Sequence, residues 1–246
     1  MMFCDFHSHF INKIEPNQKI NISFYDKKSV ENFLNGDFLS SGLSGDVLNH
    51  IKISLGVHPW YIHEDFYYYI EKKIGERSLN INLEKSFCAI GEIGFDFQKN
   101  PDINLQQEIF EKQVNLAILN NFPIIIHNVK GFHEFVKNVD LLKKVKACVF
   151  HGFSGTYEEA NYFLRNDVNA FFSFGANILK NHKKSIETLE KLPIHRIGLE
   201  TDNENFEKVK IQEVYKKAFE VKNLENQEKI NLFVSQIQHN FNSIFT

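Results

Sequence analysis

Apolar runs of strand length alternate along this 246-residue chain with segments of helical period. Eight runs read as strands: 2–6, 20–24, 51–56, 86–91, 122–126, 147–150, 169–174 and 196–200. Two of them, Pro123-Ile124-Ile125-Ile126 and Ala147-Cys148-Val149-Phe150, are apolar without interruption, the pattern of strands buried on both faces of a parallel sheet. Helical period is clearest from Leu105 to Asn120, where Leu105, Ile109, Leu116 and Leu119 trace one face. Further helices are expected over 64–75, 132–145, 156–166, 181–191, 206–221 and 227–240. Eight strands alternating with helices in this length predict an α/β fold, a (β/α)8 TIM-type barrel. Residues 25–50, with Gly36, Gly42, Gly45 and several serines, predict a loop with at most one short helix, and so an incomplete second βα unit. No Pro-, Gly- or Ser-rich linker divides the chain, and residues 1–246 read as one domain.

In a parallel barrel, functional groups project from the C-terminal ends of the strands. Polar residues appear where the apolar runs stop: His7 and His9 after the first, His58 after the third, and Glu92 after Ala89-Ile90-Gly91. His127 follows Ile124-Ile125-Ile126, His151 follows Cys148-Val149-Phe150, and Glu200 and Asp202 follow Ile197-Gly198-Leu199. Each alone has an ordinary explanation, a hydrogen-bonded strand-end histidine or, for Asp202, a turn or helix cap. Together, at the same end of successive strands, they are improbable as chance. His7 and His9, two apart in a strand, face one point in space. Imidazole with carboxylate suits zinc, manganese or nickel better than magnesium. Four histidines and two carboxylates exceed the needs of one tetrahedral ion, and two ions sharing a carboxylate are the economical solution.

Composition narrows the partners. The chain is 43% hydrophobic and 24% charged with a net charge of −3, which argues against wrapping a long duplex and leaves local contact with an end or a short single strand. Cys4, Cys88 and Cys148 sit in apolar strand-like segments without metal-type or redox-type spacing and read as reduced, buried thiols. The N-terminus lacks a basic segment followed by an apolar one, and no apolar run approaches a membrane span. A cytoplasmic, monomeric protein without membrane contact or a stable protein partner is the expectation.

With Asp5-Phe6-His7-Ser8-His9, Gly56-Val57-His58-Pro59-Trp60, Ala89–Asp96, Pro123–His127, Phe150–Gly155 and Leu199-Glu200-Thr201-Asp202, the chain resembles the TatD-like deoxyribonucleases from Phe3 to about Phe245. These are a branch of the metal-dependent hydrolase barrels. The resemblance implies that His7, His9, Glu92 and Asp202 hold one divalent ion, that Glu92, His127 and His151 hold a second, and that Glu92 is the bridge. It also implies that His58 and Glu200 lie in the pocket as supporting or substrate-contacting groups, and that the activity is 3′ to 5′ trimming of DNA ends. The ions would be magnesium, manganese, zinc or nickel. Asp202 would orient or deprotonate the attacking water.

The chain also departs from the family pattern. Asn128-Val129-Lys130 stands where an arginine is common, making Lys130 the available substrate-binding cation, as a point charge and not a fork. Asn203-Glu204 replaces a Ser-Pro or Ala-Pro pair, Phe97 replaces a hydroxylated aromatic, and the segment after the first strand is short. Trp60, Phe95 and Phe153 are candidates for stacking on a terminal base, although with 25 phenylalanines in the chain most such rings are packing residues. The same ligands would serve hydrolysis of a non-nucleic-acid ester, amide or aminoacyl bond. A non-catalytic binding barrel is disfavoured by the intact ligand set.

Overall fold

In the computed structural model, which describes residues 1–9, 17–34, 50–75, 86–99, 102–203 and 209–246, each of the eight apolar runs is a strand. They are β1 (Phe3–Ser8), β2 (Gln18–Phe24), β3 (Ile51–Leu55), β4 (Phe87–Asp96), β5 (Ile124–Val129), β6 (Cys148–Phe150), β7 (Ala170–Phe174) and β8 (Ile197–Leu199). Every strand pairs in parallel with the next, in chain order from β1 to β8.

The seam between first and last strands meets at its C-terminal end. There Asp202 N–H donates to the His7 carbonyl (3.0 Å), and His9 N–H donates to that of Asn203 (2.9 Å). Further down the seam a side chain replaces a strand neighbour: the Tyr215 hydroxyl accepts from Cys4 N–H (2.9 Å) and donates to Cys4 C=O (3.2 Å). The result is a nearly closed (β/α)8 barrel.

The helices are α1 (Lys27–Leu34), α2 (Glu64–Gly75), α3 (Ile103–Leu119), α4 (Phe132–Lys137), α5 (Val139–Leu142), α6 (Tyr157–Arg165), α7 (Ala176–Leu179), α8 (Lys183–Lys191), α9 (Ile211–Val221) and α10 (Gln227–Phe245). The short helix expected in 25–50 is α1; Gly36, Gly42 and Gly45 lie outside the described residues, as do Glu204 and 206–208. The segment 132–145 divides at Asn138, which ends α4 and begins α5 with non-helical backbone, and its side-chain amide donates to the Glu134 carbonyl. The last helix runs five residues beyond 240 because Phe241 and Phe245 pack edge-on against Phe6 of β1, at 5.4 and 6.1 Å between ring centres. That contact needs Gly198 beside it, since a Cβ there would lie 2.7 Å from the Phe6 ring.

One strand differs in a way that matters for function. The run expected at 86–91, with Glu92 at its end, continues as β4 to Asp96. Its register against β5 shifts between Ile90 and Ile93, so Glu92 sits in a mid-strand irregularity, buried inside the barrel. Gly94 permits the continuation: its φ is +143°, and a Cβ there would run into the carbonyl oxygen of His127. Phe95 and Phe153 are buried in the aromatic core, Phe95 against Phe110 and Phe135 and Phe153 against Phe172, so neither can stack on a ligand. Among the described residues, no helix is long and apolar enough to cross a membrane.

Candidate metal centre

Glu92 is the middle of the cluster, and its two oxygens face different partners. Oε2 lies 3.1 Å from His9 Nε2 and 3.3 Å from His7 Nε2. Asp202 Oδ1 completes this side, at 3.6 and 3.7 Å from the same two nitrogens. Oε1 lies 2.5 Å from His151 Nε2, 2.6 Å from His127 Nδ1 and 3.4 Å from His58 Nε2. All six residues expected as ligands therefore cluster around one carboxylate, drawn from β1, β4, β5 and the residues following β1, β6 and β8.

The far nitrogen of each ring shows what its near nitrogen can do, because in a neutral imidazole one nitrogen donates and the other accepts. His9 Nδ1 donates to the Ser23 carbonyl (2.9 Å) and His127 Nε2 to Asp96 Oδ2 (3.2 Å), which frees the inward nitrogen of each as a ligand. His58 is the reverse. Its Nδ1 accepts from the Trp60 N–H (3.1 Å), so the neutral ring carries its proton on Nε2 and offers Glu92 a donor in place of a lone pair. Five rings surround Glu92, and this distinction sets His58 apart from His9 and His127. Among the described residues His7 Nδ1 has no hydrogen-bond partner, and His151 Nδ1 lies 3.7 Å from Glu200 Oε1, outside hydrogen-bond range.

The electrostatics follow from burying so many titratable groups together. Burial pushes the Glu92 carboxyl up, but the rings of His151, His58 and His7 outweigh it and hold it well below the ordinary carboxylate range. Burial pushes His127 down, and the Asp96 and Glu92 carboxylates more than reverse it. His151 is likewise raised well above the ordinary imidazole value, Glu92 overcoming burial. The 2.5 and 2.6 Å contacts suit charge-assisted hydrogen bonds when these rings are protonated, and an ion bound there would take the place of those protons.

The donor set suits divalent cations. Two ligands of one tetrahedral ion at about 2.0–2.2 Å lie roughly 3.4 Å apart. The separations among His7, His9, Glu92 Oε2 and Asp202 bracket that value, and His127 Nδ1 and His151 Nε2 are 3.2 Å apart. Among the described residues no lysine or arginine pairs with Glu92, Asp96, Glu200 or Asp202, so no side-chain cation of that kind is there to neutralise the cluster.

Three carboxylates buttress it. Glu200, fully buried, accepts from Gly152 N–H (2.5 Å) and fixes the turn that carries His151. Asp96 Oδ2 accepts from His127 and from Trp60 Nε1–H (2.7 Å), while its Oδ1 accepts from the Gln98 and Lys99 amides (2.8 and 2.9 Å). Asp5 accepts from both the N–H and hydroxyl of Thr201 (3.0 and 2.7 Å), the residue between Glu200 and Asp202. Burial pushes the Asp5 carboxyl up to about 8. Asp5 and Asp96 were absent from the sequence-derived site. Asp5 shares the strand face of His7, and Asp96 is the strand end once β4 is given its full length.

Lys130 lies exposed at the bend after β5, with φ 61°, and makes none of the cluster's contacts. Asn203, one of the departures from the family pattern, uses its side chain to bind both main-chain groups of Val209 (2.9 and 3.1 Å), tying the chain down just beyond Asp202.

The model of the family described as TatD related DNase matches residues 4–246. A protein of Buchnera aphidicola subsp. Baizongia pistaciae, named an uncharacterized metal-dependent hydrolase, is 30% identical over 75% of this chain and 66% of its own length. The Bacillus subtilis protein YabD, named likewise, is 34% identical over 50% of this chain and 48% of its own. The chain thus spans less than two thirds of the length of these two relatives. The crystal structure of YjjV, a TatD homolog from Escherichia coli, superposes with a TM-score of 0.76 at 21% identity, covering 99% of this chain and 97% of that one.

Proposed function

The chain belongs to the TatD related DNase family, whose matched relatives are named metal-dependent hydrolases, and from that premise we propose that it hydrolyses phosphodiester bonds at the ends of single-stranded DNA, trimming from 3′ to 5′. The division of Glu92 carries the reading: one oxygen faces His7 and His9 beside Asp202, the other faces His127 and His151. His7, His9, Asp202 and Glu92 would hold one divalent ion and His127, His151 and Glu92 another, with magnesium, manganese, zinc and nickel as candidates. Ions bound there would lower the pKa of a water and offset the charge that grows on phosphate oxygens during displacement.

The protein's own groups divide the remaining work. Asp202, whose side chain is 41% exposed, is the carboxylate open to the mouth of the barrel and takes the proton of the attacking water. His58, whose Nε2–H stands 3.4 Å from Glu92 Oε1, donates to a phosphate oxygen bound beside that carboxylate. Glu200 and Asp96 keep His151 and His127 in place. Lys130 draws the phosphate chain from solvent. Every residue of this scheme lies on one chain, so it needs no second subunit.

A second reading, hydrolysis of a non-nucleic-acid ester, amide or aminoacyl bond, is supported by the lack, among the described residues, of a lysine or arginine paired with the cluster. A nuclease assay on short single strands across the four ions, with a panel of small esters and amides beside it, separates the two. The nuclease reading expects mononucleotides with a divalent ion, none after chelation, and none from Asp202→Asn. Turnover retained in Asp202→Asn would remove the role given to that residue, and cleavage of the small substrates alone would replace the reading.

A further inference from the structure

Tyr25 extends the wall of the metal centre outward. Its ring centre lies 4.4 Å from that of His9 and 5.5 Å from that of His58, and it stacks on Tyr61 at 5.6 Å with the planes 25° apart. Tyr61 is 41% exposed and walls a cavity of about 310 Å³, lined also by Asp26, Lys27, His63, Asp65 and Phe66. Pockets of this size hold small ligands. The lining mixes a flat aromatic wall and the apolar Phe66 with donors on Lys27 and His63 and acceptors on Asp26 and Asp65. Asp26 has one oxygen engaged by Ser29 N–H (3.0 Å), which fixes its side chain at the rim.

Such a lining fits a planar ring with polar edges. Two carboxylates disfavour a phosphate inside the cavity, whereas the Glu92 cluster one tyrosine away would bind one through its ions. We propose that the cavity beside Tyr61 is a subsite for an unpaired nucleobase, filled by a nucleotide adjoining the phosphate at the metal centre. The inference rests on the nucleic-acid reading above and deepens it. A base whose face lies on Tyr61 and whose polar edge is turned to Asp26, Lys27, His63 and Asp65 cannot at the same time be paired, so this subsite makes the enzyme select single strands over duplex ends. Base–aromatic stacking accepts every base, so the selection is by strandedness and not by sequence.

The test is binding, measured by fluorescence anisotropy on the magnesium-loaded protein. The probes are a short phosphorothioate single strand, which resists hydrolysis, and a strand of equal length and charge with abasic residues throughout. The base-bearing strand should bind about tenfold tighter, Tyr61→Ala should remove about that factor from it alone, and Tyr61→Phe should restore it. Equal affinity for the two strands, an equal loss on both in Tyr61→Ala, or no binding of either overturns the subsite. Cleavage assayed in parallel keeps the two claims apart. Hydrolysis without base dependence removes the subsite and leaves the nuclease reading, whereas base-dependent binding without hydrolysis in any divalent ion does the opposite.

Discussion

Replacing Asp96 by asparagine should weaken one ion site without touching a ligand. Asp96 Oδ1 accepts from the main-chain N–H groups of Gln98 and Lys99, at 2.8 and 2.9 Å, so the amide oxygen of asparagine must take that position. The NH2 group then falls where Oδ2 now stands, 2.7 Å from Trp60 Nε1 and 3.2 Å from His127 Nε2. Donor would face donor at Trp60. His127 can relieve its side only by moving its proton to Nδ1, the nitrogen that points at Glu92. The ring then ceases to be a ligand. Loss of an outer carboxylate partner of a ligating histidine costs about 10–100-fold in metal affinity, roughly 1.4–2.7 kcal/mol. Calorimetric titration of chelator-stripped protein with manganese or zinc reads this directly, and one of two sites should weaken. Trp60→Phe removes the same indole hydrogen bond but leaves the carboxylate facing His127, so it should retain wild-type affinity. An Asp96→Asn protein that binds both ions normally would refute the proton assignment.

Other outcomes follow from the same geometry. His7→Ala should lower the bound metal from two ions to one and spare the His127/His151 side, whereas His127→Ala should spare the His7/His9 side; mass spectrometry under native conditions counts them. Metal loading should release protons, because Glu92 and Asp96 raise His127, and Glu92 raises His151, against burial. Apparent affinity should therefore fall as pH is lowered through the range where those rings protonate, and binding enthalpy should vary with the ionisation enthalpy of the buffer. Phe6→Ala should destabilise the fold by about 3–5 kcal/mol, seen as a lower urea midpoint, since it empties the contact joining β1 to Phe241 and Phe245.

The barrel was legible because its strands are short apolar runs ended by polar residues. His127 and His151 could be placed from the runs before them alone. Glu92 falls at a strand end for a partly mistaken reason: the apolar run reads as closing at Gly91, but Gly91 and Gly94 both serve close packing inside β4, which continues to Asp96. That early stop hid Asp96. Asp5 was hidden differently, since its partner Thr201 is 196 residues away and only the closing of β1 against β8 joins them. Tyr25 and Tyr61 become one wall through the pairing of β2 with β3, which periodicity does not reveal. The stacking roles considered for Phe95 and Phe153 fail because exposure depends on which side of a strand or turn faces the helices. Trp60, 38% exposed beside His58, is the ring of that group that stays at the mouth.

The proposed hydrolysis depends on two ions bridged by Glu92. Anomalous scattering from crystals grown with manganese would locate them. Two peaks are expected, one among His7, His9 and Asp202 and one between His127 and His151, with Glu92 touching both. A single peak, or a peak held by His58 in place of His127, would contradict it.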